Sequence, residues 1–294
     1  MREGLHVRAG LSPQELEEIR ALWNICNDHE QISIKLNWST LSSRPVGVTN
    51  DFLFYENDRL VGFLAIYSFL STEVEISGMV HPKARRQGIF SQLVQAAIAE
   101  CRRRTIPKLI FISERGSASG KAFLTNLGAR YSFSEYVMEL QEREGMIQLP
   151  ESEEVRIRPA DRDDTELLVS LNMSGFAMPE DDAREYVVQT LEGNKERTWV
   201  AELGEDRVPV GKIGAMIEAN NQGFIYGFCI SPEYRSQGIG RRVLQQTVVD
   251  LKEKYQARRI KLEVAAQNEK ALGLYQSCGF QTLNANDYYE LLLL

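Results

Sequence analysis

The chain has 294 residues, of which 43% are hydrophobic and 26% are charged, so it has an ordinary globular composition and the length of two domains. Its net charge of −7 argues against nucleic acid as a partner and suits an amine substrate, although solubility alone would also account for it. The four cysteines form no C-x-x-C pair, the three histidines are scattered, and neither a signal-peptide core nor a run of about 18 apolar residues occurs. We therefore expect a cytoplasmic protein with no disulfide framework, no metal site and no membrane span.

The first half of the chain alternates between helical and strand patterns. The segment Ser12-Pro13-Gln14-Glu15 is a capping box with proline at the first helical position, and apolar residues follow at helical spacing from Leu16 to Cys26. Residues 28–45 are polar around Trp38 and predict a surface loop, either a plain one or one that faces a substrate. Residues 52–67 predict two strands around a polar turn at Glu56-Asn57-Asp58.

The second half begins after a charged segment, 141–154, which contains Pro150 and predicts a linker. Beyond it, the strand patterns at 199–203 and 210–217 flank a polar turn, and a further strand, Phe224–Ile230, leads into a glycine-containing loop. The predicted division is a first domain at 1–142, a linker at 143–154 and a second domain at 155–294.

The two halves share an internal repeat. The first-half motif His81-Pro82 with Arg85-x-x-Gly88 recurs 150 residues later as Ser231-Pro232 with Arg235-x-x-Gly238. Two later markers repeat at an offset of 151: Leu127-Gly128-Ala129 with Cys278-Gly279-Phe280, and Glu139-Leu140 with Glu290-Leu291. Three markers in one order at nearly one offset indicate a duplication.

The glycine loop of the second half predicts an anion site. A strand ends at Ile230, the loop Arg235-x-x-Gly238-x-Gly240 follows, and a helix then begins with Val243 and Leu244 on its apolar face. Free N–H groups and the helix dipole at such a junction attract phosphate. The spacing matches neither a Walker loop nor the dinucleotide G-x-G-x-x-G motif. A glycine-rich helix start without a ligand is the alternative.

This loop resembles motif A of the GNAT acetyltransferases, in which it binds the pyrophosphate of CoA. Residues 262–280, with Asn268, Leu274-Tyr275 and Gly279-Phe280, resemble the later motif of the same family, in the family's order and at a typical separation. The resemblance covers the whole of each half and is partial in the first. It implies an α/β chain of two tandem GNAT-fold domains, each a mostly antiparallel sheet flanked by helices, with acetyl-CoA as co-substrate.

The resemblance also implies which residues bind CoA. Backbone amides near Cys229 and Ile230 would hold the pantetheine arm and polarise the thioester carbonyl. Asn268 would contact the pantetheine or the pyrophosphate, cap the helix that follows it, or do both. The predicted CoA-binding residues are Cys229, Ile230, Arg235, Ser236, Gln237, Gly238, Ile239, Gly240, Arg241 and Asn268.

Two residues are predicted to be catalytic. Tyr275 would be the general acid that protonates the departing thiolate, or else a core aromatic residue. Glu263 would be the general base, acting through water, because its spacing to Tyr275 resembles that of the ribosomal-protein alanine acetyltransferases. A solvated strand carboxylate paired with Lys261 is the alternative for Glu263, and Glu218 and Tyr226 are reserve bases.

The first half is predicted to be a degenerate copy. The repeat offset places Phe90, Ile112, Ser117 and Leu124 where the second half has Gly240, Glu263, Asn268 and Tyr275. We expect the large Phe90 side chain to keep the loop backbone from approaching a phosphate. The first half would then bind CoA weakly or shape the acceptor pocket.

These observations predict an N-acetyltransferase that moves acetyl from acetyl-CoA to an unidentified primary amine by direct attack in a ternary complex. The chemistry would lie in the C-terminal domain of a monomer whose halves act as a pseudo-dimer. One alternative is a non-catalytic acyl-CoA-binding protein on a tandem GNAT scaffold. Another is a transferase that uses charged tRNA, against which the acidic balance and the CoA loop argue.

Overall fold

The computed structural model describes residues 1–44, 47–141, 154–193, 196–218 and 221–293. Residues 142–153 lie outside this described part, and they include all of the predicted linker 143–154 except its last residue. The chain divides into two compact units: unit 1 is Met1–Ser134 with Asn284–Leu294, and unit 2 is Glu135–Leu283. Within the described residues, no helix is long and apolar enough to cross a membrane.

Unit 1 is a mostly antiparallel sheet with helices, in the strand order β1-β2-β3-β4-β5-β12. Among the strand pairs that the structure describes in unit 1, β4–β5 is parallel and the others are antiparallel. The elements are β1 (Gly4–Arg8), α1 (Pro13–Glu30), α2 (Trp38–Leu41), β2 (Asp51–Glu56), β3 (Arg59–Tyr67), β4 (Val74–Val80), α3 (Ile89–Arg103), β5 (Lys108–Glu114), α4 (Ala118–Leu127), the start of β6 (Arg130–Leu140) and most of β12 (Phe280–Leu292).

Helix α1 forms as its sequence predicts. Ser12 and Glu15 make the reciprocal capping-box hydrogen bonds, and the apolar face of the helix is buried against the sheet. Trp38 lies in the short helix α2, where its ring packs edge-on against Trp23 at 5.8 Å between centroids. The segment around Trp38 packs against the core of unit 1 through Leu36 and Leu41, so it is not a plain surface loop, and the substrate-facing form stays a prediction.

Unit 2 has the matching strand order β6-β11-β10-β9-β8-β7, with β10 and β11 as its parallel pair. The predicted apolar face of helix α7, from Val243 to Leu251, is buried. The elements that begin in unit 2 are β7 (Val155–Pro159), α5 (Thr165–Phe176), α6 (Glu180–Glu192), β8 (Glu196–Leu203), β9 (Val208–Glu218), β10 (Gln222–Ile230), α7 (Ile239–Glu253), β11 (Arg259–Ala265) and α8 (Glu269–Ser277).

Each unit is completed by a strand from the other half of the sequence repeat. The last strand of the chain, β12, pairs with β5 in unit 1, where Leu291 lies opposite Leu109. Strand β6 of the first half pairs with β11 in unit 2, where Met138 lies opposite Leu262. The compact units are therefore not the continuous segments 1–142 and 155–294. Composition marks a linker, but it carries no signal for hydrogen bonding between strands far apart in the chain.

Candidate active site

The parallel strands of unit 2 separate before they end. Strands β10 and β11 pair from Gln222 with Arg259 to Ile225 with Leu262, and no later pair joins them in the described part of the chain. Strand β10 nevertheless continues to Ile230. Its backbone from Tyr226 onward therefore borders a gap toward β11, where N–H groups can bind a ligand.

A β-bulge lies at the point of separation. Tyr226 pairs with Gly214 of β9, but the next pair joins Cys229 to Lys212, so two residues of β10 stand opposite one residue of β9. Gly227, inside the bulge, has a φ of +55°, which glycine adopts without strain. Strand β4 of unit 1 pairs with β3 without such a break. The bulge thus distinguishes the two copies.

The glycine loop of unit 2 has the geometry of an anion site. The Arg235 side chain braces the loop by donating from Nε to the Ile230 carbonyl at 2.7 Å. Ser236 and Gly238 both have left-handed backbones, with φ of +63° and +80°. Gly238 is the N-cap of α7, and no side chain caps this helix start. The N–H groups of the first turn are thus left for an anion.

The other predicted loop residues fall into exposed and buried groups. Ser236, Gln237 and Arg241 are exposed, whereas Ile239 is buried in the core of unit 2. The exposed guanidinium of Arg235 forms no ion pair with any residue that the structure describes. The loop therefore offers positive charge to an outside ligand.

Gly240 lies close to neighbouring side chains at the start of α7. A Cβ added there would lie 3.3 Å from the Leu274 side chain and 3.6 Å from the Phe228 ring. In unit 1 the glycine and the phenylalanine trade places. Phe90 lies on the helix where unit 2 has Gly240, and its ring packs against Gly78 of β4, which lies where unit 2 has Phe228. Phe90 also contacts the Phe123 ring at 4.8 Å.

The exchange shows how the Phe90 ring is accommodated, and its effect on phosphate binding stays a prediction. The counterpart loop keeps its backbone, with φ of +66° at Arg86 and +80° at Gly88. The ring therefore leaves the loop conformation unchanged. Glu30 is the larger difference, because its carboxylate forms an ion pair with Arg85 and accepts hydrogen bonds from Ser117 Oγ at 2.8 Å and Ser119 Oγ at 2.6 Å.

Tyr275 and Asn268 lie on α8, whose Leu274 is near the start of α7. Tyr275 is only 7% exposed, and its ring meets that of Phe280 edge-on at 6.1 Å. Burial raises the pKa of Tyr275 to about 12, so the phenol keeps its proton at neutral pH. Asn268 caps α8, because its Oδ1 accepts from the Ala271 N–H at 3.2 Å. The predicted capping role is thus present.

The candidate bases differ in position. Glu263 is half-buried on β11, one residue beyond the last β10–β11 pair, and its backbone lies opposite Val137 of β6. The Tyr226 hydroxyl donates to Glu196 Oε2 at 3.0 Å, and burial raises its pKa, so Tyr226 is poorly suited to accept a proton. The side chain of Glu218 is outside the described part.

Lys212 is a charged residue whose position the sequence analysis missed. It lies on β9 opposite Cys229 and is 3% exposed. Its ammonium is 5.4 Å from the centroid of the Phe176 ring, and burial lowers its pKa to about 8. Lysine within the otherwise apolar pattern Val208–Ile217 was the available signal.

Comparison with known proteins identifies the family. The model of the acetyltransferase (GNAT) family matches residues 14–128 and again 165–280. An N-alpha-acetyltransferase of Sulfurisphaera tokodaii is 29% identical over 147 residues, which are 46% of this chain and 86% of the relative. The mycothiol acetyltransferase of Propionibacterium freudenreichii is 24% identical and covers 95% of this chain and 89% of its own length.

Solved structures agree on the fold. A GCN5-related N-acetyltransferase from Sphaerobacter thermophilus superposes with a TM-score of 0.80 at 18% identity, covering 98% of this chain and 96% of its own. A tandem GNAT protein from the clavulanic acid biosynthesis pathway gives 0.73 at 14% identity, with 99% and 98% covered. The chain belongs to the GNAT family as a tandem N-acetyltransferase, and this membership implies acetyl-CoA as co-substrate. The predicted fold class and enzyme class are confirmed.

Proposed function

We propose that the protein transfers acetyl from acetyl-CoA to a primary amine, with CoA binding and chemistry in unit 2. The observation that carries this assignment is the contrast between the two loop arginines. Glu30 neutralises Arg85 in unit 1, whereas Arg235 has no carboxylate partner among the described residues of unit 2. A CoA pyrophosphate therefore meets net positive charge at the second loop and a fixed carboxylate near the first.

The bulge of β10 supports the same assignment. The pyrophosphate would lie on Ser236–Arg241, and the pantetheine arm would extend along the gap between β10 and β11. Amides of β10 beyond Ile225 that do not bond to β9 would face this gap and polarise the thioester carbonyl. Unit 1 has the glycine loop without the bulge, so its β4 lacks the same irregular backbone.

The chemical step is a direct transfer. The ammonium of the acceptor loses a proton to Glu263 through water, and the neutral nitrogen attacks the thioester carbon. The tetrahedral intermediate collapses with cleavage of the C–S bond, and Tyr275 donates its proton to the thiolate. The amide nitrogen then loses its extra proton, which restores Tyr275, so the products are the acetamide, CoA-SH and one released proton.

Thiol release tests the reaction. Acetyl-CoA is supplied with a panel of alkyl amines, polyamines, aminoglycoside antibiotics and peptides with a free α-amino group. We expect turnover with at least one class and, for Tyr275→Phe, a kcat lower by about 10²-fold with unchanged acetyl-CoA affinity. Tyr289→Phe is the control, because Tyr289 is also buried but lies in unit 1. Acetyl-CoA binding without turnover on any amine would instead favour the non-catalytic acyl-CoA-binding protein.

Calorimetry tests the assignment to unit 2. We expect one acetyl-CoA site per chain, with affinity lowered at least tenfold by Arg235→Gln and unchanged by Arg85→Gln. Removing the internal anion with Glu30→Gln should add a second, weaker site, and Glu17→Gln, an exposed position on the same helix, should not. Two equal sites in the wild-type protein, or weakening by Arg85→Gln alone, would refute the assignment.

A further inference from the structure

Unit 1 contains a cavity that acetyl transfer in unit 2 does not use. Its volume is about 310 Å³, roughly twice that of the ~150 Å³ cavity that holds one benzene molecule. It lies among the ends of α1, β4 and β5, the first turns of α3 and the helix α4. All of its lining residues belong to unit 1. The space suits a small organic molecule.

Most of the cavity wall is apolar. Three phenylalanines line it, Phe90, Phe111 and Phe123, together with aliphatic residues such as Ile34 and Ile112. Phe90 and Phe123 also contact each other edge-to-face, which fixes both rings. A ligand must therefore present a hydrocarbon body to most of this surface.

The polar wall is poorly suited to a phosphate or carboxylate ligand. Glu30 already accepts hydrogen bonds from Arg85, Ser117 and Ser119, so these donors are occupied by an anion of the chain itself. Lys35 also lines the cavity, and its ammonium donates to the Tyr288 hydroxyl at 2.8 Å. Arg86 is exposed to solvent. Two of the three cations that line the cavity, Arg85 and Lys35, are thus engaged within the protein, which leaves Arg86 at its solvent-facing edge.

Glu114 is the carboxylate on this wall that lacks a cation. One of its oxygens accepts from the Gly116 N–H at 2.7 Å, and no ion pair to Glu114 occurs among the residues described. Its neighbour Asp287 is held by Arg115 at 2.7 Å and by Ser134 at 2.7 Å. Burial raises the pKa of Glu114, with the charges of Asp287 and Glu30 acting in the same direction and the Gly116 N–H and the Arg115 charge opposing them. A cation beside Glu114 would relieve this cost.

We propose that the cavity of unit 1 binds a small organic ammonium ion with an aryl or alkyl body, whose charge lies against Glu114 and whose body lies among Phe90, Phe111 and Phe123. Cation and hydrocarbon are both needed, because Glu114 supplies the charge and the rings supply the apolar area. This site is separate from the CoA site and does not depend on acetyl transfer.

Calorimetric titration of the full chain with 3-phenylpropylamine tests the site, and 3-phenylpropionate of equal length is the charge-reversed probe. We expect one amine to bind per chain with at least tenfold preference over the carboxylate. Glu114→Gln should weaken amine binding at least tenfold and leave acetyl-CoA affinity unchanged. Glu56→Gln, a half-buried carboxylate outside the cavity, is the matched control.

A second variant keeps the test independent of Glu114. Ile112→Trp adds volume on the cavity wall and should abolish amine binding while the thermal transition of the protein persists. The pH dependence of amine affinity adds a further check, since protonation of Glu114 should weaken amine binding as the pH falls. Three outcomes would overturn the proposal: no amine binding at millimolar concentration, equal binding of the carboxylate, or unchanged binding in Glu114→Gln. The last would place the amine elsewhere.

Discussion

Replacing Lys212 with methionine should stabilise unit 2. The lysine is 3% exposed, and its ammonium lies 5.4 Å and 5.7 Å from the ring centroids of Phe176 and Tyr186. No carboxylate pairs with it in the described part of the chain. Methionine keeps an unbranched side chain that is one heavy atom shorter, and it removes the buried charge.

The magnitude follows from the pKa. Burial lowers the pKa of Lys212 from 10.5 to about 8, which corresponds to about 3 kcal/mol of unfavourable free energy for the charged form. Cation–π attraction to the two aromatic rings stabilises the charged Lys212 of the wild-type protein by about 1 kcal/mol. The Lys212→Met variant should therefore be more stable by about 2 kcal/mol at pH 7.

The pH dependence has a definite sign. The folded protein releases the Lys212 proton near pH 8, whereas the unfolded chain holds it until the pH passes 10.5. Between these values the unfolded state binds more protons, so the contribution of this group to the free energy of unfolding rises with pH. Below pH 8 both states hold the proton, so the contribution is constant there. The advantage of the methionine variant should thus shrink from pH 7 to pH 10.

The difference in free energy of unfolding between variant and wild type is measured at pH 7, 8 and 9.5. Unit 2 is unfolded with urea, and hydrogen exchange of the β9 and β10 amides is the probe. Lys121→Met is the control, because Lys121 is exposed on α4 of unit 1, and it should change neither the stability of unit 2 nor its pH slope. A variant less stable than the wild type at pH 7, or a stability difference that is constant with pH, would refute the electrostatic argument.

Three further substitutions test particular contacts by urea unfolding. Gly227→Ala should cost about 1–2 kcal/mol because φ is +55°, whereas Gly223→Ala on the same strand should cost less. Arg44→Met should cost about 3–5 kcal/mol, because it leaves the fully buried Asp51 without its 2.6 Å ion pair; a smaller loss would mean that water reaches Asp51. Gly240→Phe should cost about 1–3 kcal/mol and be rescued by Phe228→Gly, and simple additivity of the two would contradict the proposed exchange.

Local signals in the sequence determined much of the fold. The capping box before α1, the apolar face of α7 and the turn after β2 all form as predicted, because each depends on residues within a few positions of one another. The duplication was likewise visible, since the two glycine loops share a spacing and adopt the same backbone conformation. These features placed the candidate CoA loop and the helix that carries Tyr275.

Only the tertiary structure decided how the two copies differ. Glu30 reaches Arg85 across 55 positions of the chain, and the exchange of β6 and β12 joins strands farther apart still. The phenyl ring that Phe90 supplies from a helix is supplied by Phe228 from a strand in the other unit, so the difference between Phe90 and Gly240 is matched by the difference between Gly78 and Phe228. Such contacts depend on which distant side chains share a space, and sequence spacing carries no record of that.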